Sequence, residues 1–451
     1  MDQTRRLMKK FPNALVIMLG VILLAWVLTF LIPKGTYQRI VNPETGQTMV
    51  VGGSYETAQG ESLRIFDLFL SIPEGIISRA NLIALILLLG GSFYVVEKTG
   101  ALGQGLQQVV SAMRGREYLA LLLVSLMFAA AGATIGLQEE VIAMAPVLIL
   151  FCRSMGYNAL VAVGISFGSA VLGAAFSPSN PFAVILAQQE AEVPLMSGGG
   201  FRLVFLLAAA VLWNGYLLYY ARRNRVEKVP MQASDKPVSL SNGIILALLV
   251  ATFTLVTYGL MSWGWDLNEL SACFFATGLA SGLIAGMGLN GTSEAFVAGF
   301  REMIFACIVI GFASSISLLL EKGMVIDTIV YALFTPMEGL PASLSALGMM
   351  ASQALLHFPV PSYTGQAVLT MPILTPLSDL VGLSRQVCVL AFQYGAVNMD
   401  IIVPTNGALM AVLAIGGISY DKWLRFIWKP ALILFTIAAV AIVVAVQTGY
   451  S

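Results

Sequence analysis

Charged residues are scarce in this chain of 451 residues: Asp, Glu, Lys and Arg together make up 11%, whereas hydrophobic residues make up 58%. A typical soluble domain carries about 25% charged residues. Acids and bases are equal in number, so no net charge favours a nucleic-acid partner. Segments 11–33, 201–220 and 430–446 are long and apolar enough to cross a bilayer as helices. The composition therefore predicts a polytopic membrane protein whose surroundings are the lipid bilayer.

Cysteine and histidine are equally rare, and this limits the chemistry that the chain can perform. The four cysteines fit neither a metal-ligand motif nor a disulfide framework; they are Cys152, Cys273, Cys307 and Cys388. The glycine run 198–200 lacks the lysine and helix context of a phosphate loop. We therefore expect no enzyme activity, no cofactor and no transition metal. The single histidine, His357, is either a proton relay or a structural residue.

A pattern of proline, glycine, asparagine and apolar residues occurs twice in the chain. Each position of the second copy lies 226 residues after its counterpart in the first, without a gap. The best-matched pieces are Ser-Pro-Ser-Asn-Pro at 177–181 and Val-Pro-Thr-Asn-Gly at 403–407. In each copy a proline and an asparagine interrupt an apolar run, which either kinks and caps a helix or forms part of a site. Paired interruptions in the two halves of a membrane protein point to the binding site of a transporter.

The distribution of basic residues modifies the count of membrane spans. If every apolar run crossed the bilayer, the basic loop at 222–236 would lie opposite the basic N-terminus, against the positive-inside tendency. A re-entrant hairpin at 117–155, turning at 131–140, removes this conflict. The repeat then requires a second hairpin at 339–381, turning at 359–366. Bent backbone at membrane depth is tolerated where it lines a protein-enclosed or wet cavity.

The predicted fold is an all-α polytopic membrane protein with two inverted repeats, about nine transmembrane helices and two re-entrant hairpins. The first repeat is 1–222, with a broken helix at 158–191. A cytoplasmic loop and linker helix occupy 223–267, and the second repeat is 268–451, with a broken helix at 386–416. The N-terminus is predicted to be cytoplasmic, in a multi-pass protein of the inner (plasma) membrane. Segment 34–79 is predicted to lie outside, with a loop or short hairpin at 34–63.

The hairpin turns and helix breaks supply the candidate site residues. Their hydroxyl, carboxamide and carboxylate groups can hold polar substrates, and the ends of broken helices can hold ions. The candidate substrate-binding residues are Thr134, Gln138, Glu139, Glu140, Ser179, Asn180, Ser362, Tyr363, Thr364, Thr405 and Asn406. The candidate coupling-ion residues, for sodium or a proton, are Glu140, Ser177, Asn180, Asn398, Asp400 and Asn406.

The acids among these candidates make the expected site asymmetric. Glu139 and Glu140 at the first turn correspond to Gly365 and Gln366 in the second half. A carboxylate at bilayer depth is a functional candidate by default, although the pair is simply solvated if the turn rests in a wet vestibule. Asp400 is either a buried ligand or the cap of the second half-helix. No arginine or lysine is expected near either turn, which favours an ammonium-bearing substrate over a dianion.

At these motifs the sequence resembles the YfcC family of the ion transporter superfamily, which is related to the anaerobic C4-dicarboxylate carriers. The resemblance rests on Gly-Leu-Gln-Glu-Glu at 136–140, Ser-Asn-Pro-Phe at 179–182 and Gly-Gln-Ala-Val-Leu-Thr-Met-Pro at 365–372. It departs from the family after Gly395, where alanine follows and Asp400 stands near the place of an asparagine.

The resemblance implies secondary active transport of a small amino acid or carboxylic acid, coupled to a cation or working by exchange. It also implies a homodimeric scaffold and an elevator-type transport domain. A C4-dicarboxylate carrier and a basic amino acid exchanger both remain open. An ion channel, the alternative from a different class, would need a continuous polar pore.

Overall fold

Most of the chain is helical in the computed structural model, which describes residues 14–41, 48–51, 53–112, 116–228, 239–263, 265, 267–337 and 339–450. The basic residues Arg5, Arg6, Lys9, Lys10, Arg114 and Lys236, used above to orient the chain, lie outside the described residues. Among the described helices, six are long and apolar enough to cross a membrane.

The helices of the first half are Ala14–Leu31, Ile65–Ser78, Ala80–Lys98, Ala101–Ala112, Glu117–Ile135, Val141–Ser154, Ala159–Val163, Ser169–Ala175, Leu186–Glu190 and Gly199–Arg223. Two π-helical segments, Gly164–Gly168 and Pro181–Ile185, lie within the first broken helix. The helices of the remaining chain are Leu240–Ser262, Leu267–Ile284, Gly288–Lys322, Ile326–Phe334, Ala342–Leu356, Tyr363–Leu380, Arg385–Met399, Gly407–Ile415 and Tyr420–Thr448, with a 3₁₀ turn at Thr335–Met337.

A small nested hairpin occupies the segment predicted as a loop or short hairpin. Strand Gly35–Thr36 pairs antiparallel with Glu56–Thr57, and Arg39–Val41 pairs antiparallel with Thr48–Val50. Asp327 anchors the hairpin because it accepts from the Tyr37 amide at 2.9 Å and pairs with Arg39 at 2.9 Å. Burial, followed by the nearby Asp327 carboxylate, raises the pKa of Tyr37 well above its ordinary value, so its phenol stays neutral.

The segment just before residue 80 contains a helix that the sequence prediction does not include. Ile65–Ser78 is helical and continues, after a break at Arg79, into Ala80–Lys98. Gly75 lets this helix approach Gly288–Lys322 closely, since a Cβ at Gly75 would lie 2.3 Å from the Gly311 carbonyl oxygen. We call 65–98 and 288–322 the long helix pair.

Each predicted hairpin is a pair of helices around a tight turn. The first turns at 136–140 and the second at 357–362. The first helix of each hairpin packs against the first part of the broken helix that comes after it. Glycine permits this contact: a Cβ at Gly173 would lie 1.9 Å from the Ala129 carbonyl oxygen, and one at Gly395 would lie 2.2 Å from that of Met350. Small residues let membrane helices pack at close range.

Both broken helices are interrupted near the repeated proline and asparagine. The first stops at Ala175 and resumes at Pro181, and the second stops at Met399 and resumes at Gly407. Asn180 caps the resumed helix by accepting from the amides of Phe182 and Ala183 at 3.0 and 2.8 Å. Asn406 accepts from the Leu409 amide at 2.8 Å in the same way. Asparagine at this position satisfies N–H groups that the start of a helix leaves unpaired.

Candidate substrate site

The two hairpin turns and the second helix break border a partly open cavity of about 290 Å³. Pockets for drug-sized ligands occupy roughly 300–1,000 Å³, so this volume suits a small metabolite. The candidate residues that line the cavity are Gln138, Glu139, Glu140, Ser362, Tyr363, Thr364, Asp400, Thr405 and Asn406. The candidates that are not part of this lining are Thr134, Ser177, Ser179, Asn180 and Asn398. The far wall comes from the long helix pair and from Leu267 and Leu270.

Asp400 is the centre of a buried hydrogen-bond network at one end of the cavity. Its Oδ1 contacts His357 Nε2 at 2.7 Å and accepts from Asn406 Nδ2 at 2.5 Å. Its Oδ2 accepts from Gln138 Nε2 at 2.8 Å and contacts the Tyr363 hydroxyl. The carboxylate therefore joins both hairpins to the second break. Asp400 does not cap the second half-helix, which corrects that alternative: Asn406 is the cap.

The network constrains the proton that His357 and Asp400 can share. Gln366 donates through Nε2 to the Gln353 carbonyl at 2.8 Å, so its Oε1 is left to accept from His357 Nδ1 at 2.8 Å. The other ring nitrogen, Nε2, lies 2.7 Å from Asp400 Oδ1. A proton between these two atoms, in an imidazolium–carboxylate pair or in a neutral imidazole beside a carboxylic acid, would satisfy both of them. With no proton there, two buried lone pairs would face each other.

The first break is arranged differently, although its sequence matches. Besides capping, Asn180 donates through Nδ2 to the Gly132 carbonyl at 2.8 Å, which fastens the break to the first hairpin. Ser177 donates to the Ala133 carbonyl at 2.5 Å and accepts from the Asn180 amide. Asn180 is fully buried and has each of its polar side-chain atoms engaged. Its contacts in this structure are therefore with the backbone of its own repeat.

Two buried oxygens beside the second break have no hydrogen-bond partner among the described residues. They are Oδ1 of Asn398 and Oγ1 of Thr405. Asn398 uses its Nδ2 to donate to the Tyr394 carbonyl at 2.8 Å, which leaves Oδ1 to face the interior. Both atoms are hard oxygen donors of the kind that small cations prefer. In the described part of the chain, His, Cys, Asp and Glu form no cluster of three that could hold a metal ion.

Two arginines were missed by the reasoning from sequence. Arg79 lines the cavity, which corrects the expectation that no basic residue lies near the turns. It belongs to the segment that had been assigned to the outside. Arg202 is fully buried and bonds only neutral acceptors among the described residues: Gln393 and Gln386, each at 3.1 Å, and the Ser197 carbonyl. For Arg202, a basic residue within an apolar helix was the available signal.

Replacing Arg202 with Met should destabilise the protein. Gln393 also donates to the Ser177 carbonyl at 2.9 Å, so Arg202 supports the first break through this amide. The substitution leaves the two glutamine oxygens without their donor, at about 1–3 kcal/mol for each orphaned acceptor. Thermal unfolding of detergent-purified protein measures the loss. The control is Arg301→Met at an exposed arginine, and equal melting temperatures for the two variants would contradict the prediction.

The apolar helices, the two interrupted helices and the cavity between them, which is lined by several polar side chains, are typical of a membrane transporter. Comparison with known families agrees: the chain belongs to the DcuC family, the C4-dicarboxylate anaerobic carriers, whose model matches residues 11–447. The expected resemblance is confirmed, and the chain is a transporter of this family rather than an enzyme.

Among similar sequences is the putative basic amino acid antiporter YfcC of Escherichia coli, which is 30% identical, with 97% of each chain covered. An uncharacterised protein of Haemophilus influenzae is 29% identical, also with 97% of each chain covered. Solved structures with some likeness include the Alcanivorax borkumensis YdaH transporter, with 14% identity, a TM-score of 0.44 and coverage of 97% of this chain and 99% of that one. Neisseria gonorrhoeae MtrF has 14% identity, a TM-score of 0.43 and coverage of 97% and 96%. These two likenesses are too distant to bear on topology or substrate.

Proposed function

We propose that this protein is a secondary active transporter of a small amino acid, coupled to a cation, that works by an elevator-type movement. The observation that carries the proposal is the cavity between the hairpin turns and the second break, which is partly open and lined by several polar side chains. A site assembled from bent backbone can be exposed to one side of the membrane at a time. Transporters commonly bind their substrates at such interruptions.

The charges around the cavity favour an amino acid. Glu139 and Glu140 line it at the first turn, and Asp400 lines it at the second break. An ammonium group is attracted to these carboxylates, whereas a dicarboxylate would be repelled by them. The YfcC relative is described as a putative basic amino acid antiporter. A C4-dicarboxylate, the substrate in the family's name, is the alternative.

A proton is the coupling cation that the geometry supports best. The geometry of the His357–Asp400 pair can accommodate a shared proton, and Asp400 itself lines the cavity. A protonated His357 attracts the Asp400 carboxylate. A substrate ammonium that reaches Asp400 supplies the same attraction, so His357 can release its proton when the substrate binds. Substrate binding and proton release are therefore linked. Sodium is the alternative, with Asn398 Oδ1 and Thr405 Oγ1 as two of its ligands at the second break.

The architecture that we propose keeps the repeat boundaries 1–222, 223–267 and 268–451. The hairpins and broken helices would move against the long helix pair and its neighbours, which form the scaffold of a homodimer. The protein would lie in the plasma membrane with its N-terminus in the cytoplasm. In this arrangement the cavity is formed between the moving and the fixed parts.

Transport by purified protein in proteoliposomes tests the proposal. Vesicles loaded with unlabelled L-arginine or succinate should take up the same labelled solute by saturable counterflow. An imposed proton gradient should drive accumulation of L-arginine, whereas a sodium gradient should not. Current without counterflow would instead indicate a channel and would refute the carrier. Accumulation driven by sodium alone would assign coupling to the sodium alternative.

A further inference from the structure

Arg79 stands at the break within the first helix of the long helix pair, between Ser78 and Ala80. Its Nε donates to Oγ of Ser314 on the facing helix at 3.0 Å. Ser314 lies eight residues before Lys322, which pairs with Glu74 at the end of the helix pair. Glu74 lies five residues before Arg79, so at 1.5 Å per residue Arg79 is about 8–12 Å along the helix pair from that charged end. An arginine within a bundle of membrane helices is normally paired with an acid or a carbonyl group.

The described residues do not supply that partner. A guanidinium carries five N–H donors, and Ser314 accepts from Nε alone. No described residue bonds the terminal nitrogens, and Arg79 makes no ion pair with a described acid. The side chain is only half-buried, and it lines the cavity together with Ser314. Among the described residues the terminal nitrogens therefore have no partner, and the side chain borders the space that a substrate would occupy.

Acids from other elements of the fold line the same cavity. We call Glu139, Glu140 and Asp400 the acidic wall. They belong to the first hairpin turn and the second break, whereas Arg79 belongs to the long helix pair. The cavity thus has a positive side and a negative side, carried by different parts of the fold. A molecule with a carboxylate and an ammonium group matches both sides, whereas a dicarboxylate matches only one.

We propose that Arg79 binds the carboxylate of an amino-acid substrate whose ammonium group lies at the acidic wall. This inference rests on the proposed function and names the side chain that selects the carboxylate. Arginine suits the role because its planar fork holds a carboxylate through two parallel hydrogen bonds. Since the two sides belong to different parts of the fold, movement of the hairpins against the long helix pair separates them. Arg79 therefore selects for the carboxylate in the conformation of this structure, in which Arg79 and the acidic wall line one cavity.

Transport of three probes tests this assignment: L-arginine, agmatine, which is the same molecule without the carboxylate, and succinate. The wild type should prefer L-arginine to agmatine by about tenfold or more, the factor expected of a charge-assisted hydrogen-bonded pair. Arg79→Gln should raise KM for L-arginine by that factor and leave KM for agmatine unchanged, so that the preference disappears. Arg79→Lys should restore part of it, because the charge remains while the fork is lost. Arg301→Gln, at an exposed arginine on the partner helix, should behave as wild type.

The outcomes separate the inference from the proposed function. Arginine transport with the preference intact in Arg79→Gln would overturn the role of Arg79 and leave the transporter proposal standing. Wild-type protein that transports neither L-arginine nor succinate would overturn the proposed function itself. Uptake of succinate alone would refute the amino-acid assignment of the two-sided cavity. Size-exclusion chromatography shows whether Arg79→Gln folds. If it does not, Arg79→Lys is used instead, and its KM values for L-arginine and agmatine are compared with those of the wild type. An unchanged ratio of the two KM values would refute the role of Arg79.

Discussion

Asp400→Asn should reduce proton-driven accumulation by about 100-fold, the factor that corresponds to disrupting a buried charge pair. The carboxylate receives the contacts of His357, Gln138, Tyr363 and Asn406. An asparagine that directs its N–H groups at His357 would meet the lone pair of a neutral imidazole, but it would then face the Asn406 amide with a second donor and lose that hydrogen bond. We expect the remaining contacts to hold the network, so the variant folds with lower stability and no longer carries the charge that couples transport. Proton-driven uptake of L-arginine into proteoliposomes measures the loss, and accumulation at the wild-type level would contradict the prediction.

His357→Gln provides an independent variant for the same step. Glutamine can bond to Asp400 but cannot take up a proton at physiological pH. Counterflow should continue, because it needs substrate binding alone, whereas accumulation driven by a proton gradient should cease. Asp379→Asn is the matched control, since Asp379 is exposed and pairs with Arg385 away from the cavity. Full proton-driven accumulation by His357→Gln would show that the pair does not carry the coupling proton.

The helix breaks and the turns could be predicted from sequence because their signals are local. Pro178 and Pro404 interrupt apolar runs, and Asn180 and Asn406 cap the helices that resume after them, so the relevant residues are neighbours along the chain. The acids at the first turn could likewise be placed by the glycine and polar residues around them. Local chemistry of this kind does not depend on the rest of the fold.

The network around Asp400 could not be predicted in this way. Gln138 bonds Asp400 across 262 positions, and His357 does so across 43. Sequence alone left Asp400 as ligand or cap and His357 as relay or structural residue, because only the packing of the two hairpins decides which atoms meet. Arg79 was missed because its contact with Ser314, 235 positions along the chain, depends on the packing of the long helix pair.

The two repeated asparagines should respond differently to the same substitution. Asn180→Ala removes the acceptor of two amide groups and the donor to the Gly132 carbonyl, all inside one repeat. Loss of the cap costs about 1–2 kcal/mol, and the orphaned carbonyl costs about 1–3 kcal/mol more. We therefore expect its main effect to be a lower melting temperature.

Asn406→Ala removes one capping bond and the donor to Asp400, so it should lower transport strongly while the melting temperature falls less. The reason is that Asn406 lines the cavity and Asn180 does not. Thermal unfolding and L-arginine counterflow, measured on both variants, separate the two effects, with Asn224→Ala at an exposed helix end as the control. Equal losses of stability and transport in the two variants would mean that the two asparagines have the same role, and this would contradict the prediction. The predicted difference would instead assign anchoring of the hairpin to the first repeat and control of the Asp400 proton site to the second.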